Sequence, residues 1–148
     1  MVCLGNRLRS DDGAGVRVAE LLGDIPELVV ARAPAQLLNQ LSEEVKLIII
    51  VDAVENRGRP GNIHRLRLSD IGKDATRAFS THGISLKDIV ALLSETATFS
   101  GEVLIFGIEG KDFRYGEQLS EEVEMACKTV ANEIKEILRM REDAGGGI

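Results

Sequence analysis

Three observations predict an α/β protein, a three-layer α/β/α sandwich with a mostly parallel central sheet. They are a mid-chain run of β-branched residues, a second apolar run later on, and helical patterns alternating with both. The first run is Leu47-Ile48-Ile49-Ile50-Val51. Apolar residues at consecutive strand positions point to both faces of a sheet, so both faces must be covered, as in a central parallel strand. The second run, Val103 to Ile108, has the same character. The strongest helical pattern covers Leu119 to about Met140, where Val123, Cys127, Val130, Ile134, Ile137 and Leu138 recur on one side.

The remaining elements follow in order. Met1 to Leu4 reads as the end of a first strand, and Gly5-Asn6 supplies the turn after it. A helix is expected from near Asp12 to Leu22, with Val16, Ala19 and Leu22 at helical spacing and Gly23 suited to its end. Leu28 to Ala31 predicts a second strand, and Gln36 to Glu43, behind Pro34, a helix with Leu37, Leu38 and Leu41 inward. After Asp52, which stands where the Leu47–Val51 run ends, a loop rich in Gly, Pro and Asn from Glu55 to Gly61 leads into Asn62 to Leu68. The polar mixture of that segment suits an edge strand. A helix from about Ile84 to Leu93 follows the His82-Gly83 segment. No internal repeat is visible. Residues 1–141 form one domain by this reading, and 142–148, with three consecutive glycines, are expected to be a disordered tail.

Composition removes several functional classes. The chain's 148 residues are enough for one core without disulfides or a structural metal. Eighteen basic against twenty-four acidic residues give a formal charge of −6, which argues against general nucleic-acid binding. One Tyr, four Phe and no Trp leave few platforms on which bases could stack. No apolar run approaches the ~18 residues of a membrane span. No secretory pattern opens the chain, so a cytoplasmic location is expected. Cys3 and Cys127 read as buried thiols rather than a disulfide or a nucleophile.

The candidates for chemistry are few. Asp11 and Asp12 precede a helical pattern, where an aspartate also serves as an ordinary N-cap. Asp52 occupies the place where open α/β sheets put their ligand crevice, at the carboxyl ends of the strands. Of the two histidines, His64 falls in the expected edge strand and reads as a surface residue, whereas His82 sits in a loop before a helix. Taken together, Asp12, Asp52 and His82 would suit a divalent first-row metal with positions left open for water or substrate; zinc or manganese would fit as well. A phosphate cradle at Gly5 to Gly15 is disfavoured by the two aspartates and by the absence of a GxGxxG or P-loop pattern. No GxSxG elbow supports a serine hydrolase.

The segment Gly5-Asn6-Arg7-Leu8-Arg9-Ser10-Asp11-Asp12-Gly13-Ala14-Gly15 resembles the N-terminal signature of the hydrogenase maturation endopeptidases. The resemblance continues in order through Ile49-Ile50-Val51-Asp52-Ala53, Pro60-Gly61, Ser80-Thr81-His82 with Ser85-Leu86, Phe106-Gly107-Ile108-Glu109, and Leu119-Ser120. The chain departs from the family pattern at Cys3, where many relatives carry a glycine, and at Ala31-Arg32-Ala33-Pro34-Ala35. The resemblance implies an α/β/α fold and a metal-binding trio of Asp12, Asp52 and His82. It further implies recognition of nickel already inserted into a hydrogenase large-subunit precursor, followed by removal of that subunit's C-terminal extension. The family is often classed with the aspartic-type endopeptidases, and its logic implies a monomer acting transiently on the precursor. Asp52 and Asp12 are then the expected catalytic carboxylates, and Gly5, Asn6 and Asp11 are expected to line the cleft and meet the substrate. The alternative is a non-catalytic factor that checks nickel or assists assembly on the same precursor.

Overall fold

A computed structural model describes residues 2–4, 13–25, 28–31, 43–55, 58–67, 69, 80–81, 99–111 and 118–145, with backbone only at 2–4, 29–31, 55 and 80–81. The strands are β1 (Val2–Leu4), β2 (Val29–Ala31), β3 (Leu47–Glu55), β4 (Ile63–Arg67), β5 (Ser80–Thr81) and β6 (Glu102–Glu109). The helices are α1 (Ala14–Leu22) and α2 (Glu121–Asp143). The expected helices at 36–43 and 84–93 lie outside the described residues, apart from Glu43.

Five strands run in the order β2-β1-β3-β6-β4, and β5 pairs with β3 off that path. The pairs β1–β2, β1–β3 and β3–β6 are parallel, while β4–β6 and β3–β5 are antiparallel. The sheet is therefore parallel at its centre, with β4 antiparallel at one end of the order, as expected for the edge segment.

Two-residue alternation sorts the central strands into faces. Leu47, Ile49, Val51 and Ala53 join Phe106 and Ile108 in one core cluster with Ala14, Val18 and Leu22 of α1 and Val123, Cys127, Val130, Ile134 and Leu138 of α2. Full burial of each large aliphatic side chain contributes roughly 1.5–3 kcal/mol. The other face is buried as well, since Ile48, Ile50, Val103 and Ile105 have almost no exposure. That double burial is what a central parallel strand requires.

Arg17 ties the two helices together, its Nε and Nη2 donating to the Glu124 carboxylate at 2.8–3.0 Å. Nearby, the fully buried Cys127 thiol lies 3.6 Å from the carbonyl oxygen of Ala14. The buried-thiol reading holds for Cys127; the Cys3 side chain is outside the described residues.

Three boundaries differ from the sequence reading. β3 continues to Glu55, so Asp52 is an internal strand residue rather than the residue after the strand. Pairing with β6, which runs through Val54↔Glu109, carries the strand past its apolar run. α1 begins at Ala14 with Gly13 as N-cap, and among the described residues no side chain caps it. α2 continues to Asp143, two residues into the expected tail, with Arg139 bridging Glu136 and Asp143 in its last turns.

Candidate active site

Asp52 is the centre of the site and is only 6% exposed. It belongs to the face of β3 that carries Ile48 and Ile50, opposite the face packed on α1 and α2. Burying a carboxylate costs several kcal/mol unless its surroundings answer the charge, so its retention in an otherwise aliphatic row points to use rather than to packing.

The sheet topology explains why this position is special. β1 lies beside β3 at Val2↔Ile50 and Cys3↔Val51, so Leu4, the last residue of β1, falls at the level of Asp52. β6 holds the other side of β3, so β5 takes the β1 side, with Glu55↔Ser80 and Val54↔Thr81, running in the opposite direction. Along this edge of β3 the pairing with β1 ends at Val51 and the pairing with β5 ends at Val54, with Asp52 and Ala53 between them. The residue following Leu4 is Gly5, and the residue following Thr81 is His82. Gly13, which follows Asp12, is buried at the start of α1, and α1 packs on β1 and β3. Gly5, Asn6, Asp11, Asp12 and His82 themselves lie outside the described residues. Among the described residues no group of three or more His, Cys, Asp or Glu side chains could hold a metal ion.

On the other side of β3 the register places Gly107 of β6 opposite Asp52, and His64 of β4 opposite Gly107. Directly paired residues point to the same face, so Asp52 and His64 share a face with a side-chain-free position between them. The expectation that His64 is a surface residue is corrected here. Its side chain is 26% exposed, and its Nε2 lies 2.8 Å from Oε1 of Glu109, which is 1% exposed. Glu109 is two residues beyond Gly107 on β6 and so lies on this same face.

The turn that leads out of β3 closes over this corner. Gly61 N–H donates to the Glu109 carbonyl at 2.8 Å, Glu109 N–H to Asn62 at 2.9 Å, and Gly110 N–H to Val54 at 3.0 Å. Gly61 has φ of 86°, and a Cβ there would lie 2.8 Å from the carbonyl oxygen of Glu122, which explains the glycine after Pro60. Sequence reasoning did not single out Glu109, the buried carboxylate beside His64. The available signal was its place at the end of the Val103–Ile108 run, the same relation that singles out Asp52.

A mainly parallel sheet with a buried carboxylate toward the carboxyl ends of its strands is the arrangement of the α/β proteins that place their ligand sites there. Residues 32–137 match the family model described as hydrogenase maturation protease, and the chain belongs to that family. It is similar to the hydrogenase maturation protease described as putative in Methanocaldococcus jannaschii, at 28% identity covering 91% of this chain and 95% of that protein. It is also similar to the hydrogenase 3 maturation protease of Escherichia coli, at 27% identity covering 88% of this chain and 84% of the other. The crystal structure of a [NiFe] hydrogenase maturation protease from Thermococcus kodakarensis superposes with a TM-score of 0.71 at 25% identity, covering 93% of this chain and 90% of that one. The three-layer α/β fold expected from the sequence is the fold of these proteases, and the chain is an endopeptidase of their class.

Proposed function

We propose that this protein removes the C-terminal extension of a nickel-iron hydrogenase large-subunit precursor after nickel has been inserted. The observation that carries the reading is the buried Asp52 in the gap between the β1 pairing, which ends at Val51, and the β5 pairing, which ends at Val54, with Gly5 and His82 next in the chain after those strands. Family membership supplies the peptide-bond chemistry, and the Thermococcus kodakarensis relative is described as a [NiFe] hydrogenase maturation protease.

Asp12, Asp52 and His82 take hold of the nickel that the precursor presents, and Gly5, Asn6 and Asp11 meet the substrate backbone. Another divalent ion would satisfy the same donor set. Asp52, held by strand pairing and shielded from water, is the general base: it takes the proton of the attacking water, which then passes to the departing amine. That assignment makes the enzyme aspartic-type in its chemistry and metal-dependent in its recognition of substrate. The protein acts as a monomer in the cytoplasm. Among the described residues no helix is long and apolar enough to cross a membrane.

Intact-mass analysis of nickel-loaded and nickel-free precursor, incubated with the wild type and with H82A, tests the reading. Loss of a C-terminal fragment is expected only with nickel and only with His82 present. Binding of the loaded precursor without mass loss would replace it with the non-catalytic assembly factor.

A further inference from the structure

Resting on the endopeptidase reading, we propose that the groove between β4 and α2 is a second docking site for the hydrogenase precursor. It takes an extended segment that carries an acidic residue two places from an apolar one. The groove has a volume of about 300 Å³, with an apolar lining from Leu104, Phe106 and Ile137 and a charged one from Arg65, Arg67 and Glu133. Phe106 belongs to the core shared with α1 and α2, and Leu104 and Ile137 pack against that core while staying partly exposed. Arg65 pairs with Phe106 and Arg67 with Leu104 across the strands, so both arginines emerge on this face, the one away from Asp52.

The charges around the groove do not balance. Arg65 is answered by Glu133 alone, whose carboxylate accepts from its Nε at 2.8 Å and from its Nη2. Glu102 is shared: Arg141 Nη2 donates to its Oε2, and Arg67 Nη1 lies 3.2 Å from its Oε1. Two guanidinium groups on one carboxylate leave a positive charge over, in a chain whose formal charge is −6. Arg67 is the looser of the two, its side chain 61% exposed against 27% for Arg141. A guanidinium presents its N–H donors in a planar fork that fits a carboxylate, so a second carboxylate brought to Arg67 completes the cluster.

β4 sets the shape of the partner. It stands at one end of the strand order. Glu109 N–H donates to the Asn62 carbonyl, so with the register Ile63↔Ile108 the hydrogen-bonded pairs with β6 fall at Asn62, His64 and Leu66. Ile63, Arg65 and Arg67 alternate with these and turn their N–H and C=O groups to the outer side of β4, where among the described residues no further strand pairs. An extended peptide added along that side sets every second side chain over the groove. One of them, apolar, meets Leu104 and Ile137; the next on the same face brings its carboxylate to Arg67. Anchoring the precursor here makes its entry into the Asp52 crevice an intramolecular event and raises the effective concentration of its C-terminal extension there.

Affinity for the nickel-loaded large-subunit precursor is measured in a D52N background, so that binding is read whether or not cleavage occurs. R67A is expected to weaken binding about tenfold, a loss typical of one charge-assisted contact, and R67E to weaken it further. At about 0.5 M salt the gap between R67A and its parent should narrow. Arg67 is exposed, so the thermal midpoints of both variants should stay within about 3 °C of the parent. In the turnover-competent background the same order should appear in KM, with kcat changed less than about twofold. Unchanged precursor affinity in R67A and R67E would overturn the proposal, as would an R67E that binds no worse than R67A. A wild-type dimer that R67E disperses, read by light scattering, would give the groove to a second copy of the chain and overturn it as well. Failure of the wild type to cleave would count against the endopeptidase reading alone, because the binding series does not depend on turnover.

Discussion

The two faces of β3 and β6 are built from the same strands and have opposite characters. On the face toward α1 and α2, Ile49, Val51, Ala53, Phe106 and Ile108 are apolar along the full length of the strands. On the other face Ile48, Ile50, Val103 and Ile105 give way to Asp52, Gly107 and Glu109 as the strands run toward their carboxyl ends. Both faces are buried, so hydrophobicity alone does not separate them. One face is apolar throughout, and the other, although Val54 continues its apolar row, carries the carboxylates of Asp52 and Glu109 toward the strands' carboxyl ends.

Substitutions three residues apart on β3, on its opposite faces, sharpen this contrast. D52N is expected to reduce precursor processing by about 10²–10⁴-fold, the usual contribution of a general base. It should leave the thermal midpoint within about 3 °C of the wild type, a change of under ~1 kcal/mol. Retained processing, measured by the mass of the precursor, would remove Asp52 from the chemistry and with it the functional half of the comparison. I49A, on the opposite face, should cost about 2–5 kcal/mol in denaturant unfolding through the cavity it leaves. The activity of its folded fraction should stay near wild type, and a selective loss of activity would mean that the faces are not separable.

The smallest effect belongs to the tie between the helices. Hydrogen bonds from Arg17 hold the Glu124 carboxyl below the ordinary glutamate range. A carboxyl lowered in the folded state contributes stability that is present above its unfolded value, about 4.3, and is lost as pH falls below it. Both partners are partly exposed, so the contribution is under ~1 kcal/mol. E124Q should therefore lower the thermal midpoint by at most about 3 °C at neutral pH, with the difference shrinking as the pH falls below about 4.3. A difference that grew on acidification would contradict the assignment.

How much of this was legible before the structure depended on the kind of signal. The central strands and α2 were readable because burial repeats with the period of the element, as in Leu47–Val51 and in Val123, Cys127, Val130 and Ile134. Asp52 was readable because an acid interrupts an apolar run, although the strand's continuation past it was not, since that depends on pairing with β6. β5 carries no sequence signal: Ser80-Thr81 is polar and two residues long, and it is a strand only because β3 offers an edge beyond the end of β1. His64 was misjudged for a related reason. Edge position is visible in composition, but the face on which a side chain emerges depends on register, which here aligns His64 with Gly107 and sets it beside Glu109. That Gly5 and His82 follow the ends of β1 and β5 could be expected from the family resemblance, whereas sequence spacing carries no information on which strands come to lie side by side.

The gap in the edge of β3, between the β1 pairing that ends at Val51 and the β5 pairing that ends at Val54, also bears on how the protein comes into being. The strands on either side of the gap come from the beginning and the later half of the chain, and neither is long enough to persist without β3. Closing loops of such length is slow and entropically costly, so pairing on both sides is expected late in folding. A partly folded chain, or one still being synthesised, would lack one wall of its crevice. Completion of that edge is thereby tied to completion of the fold.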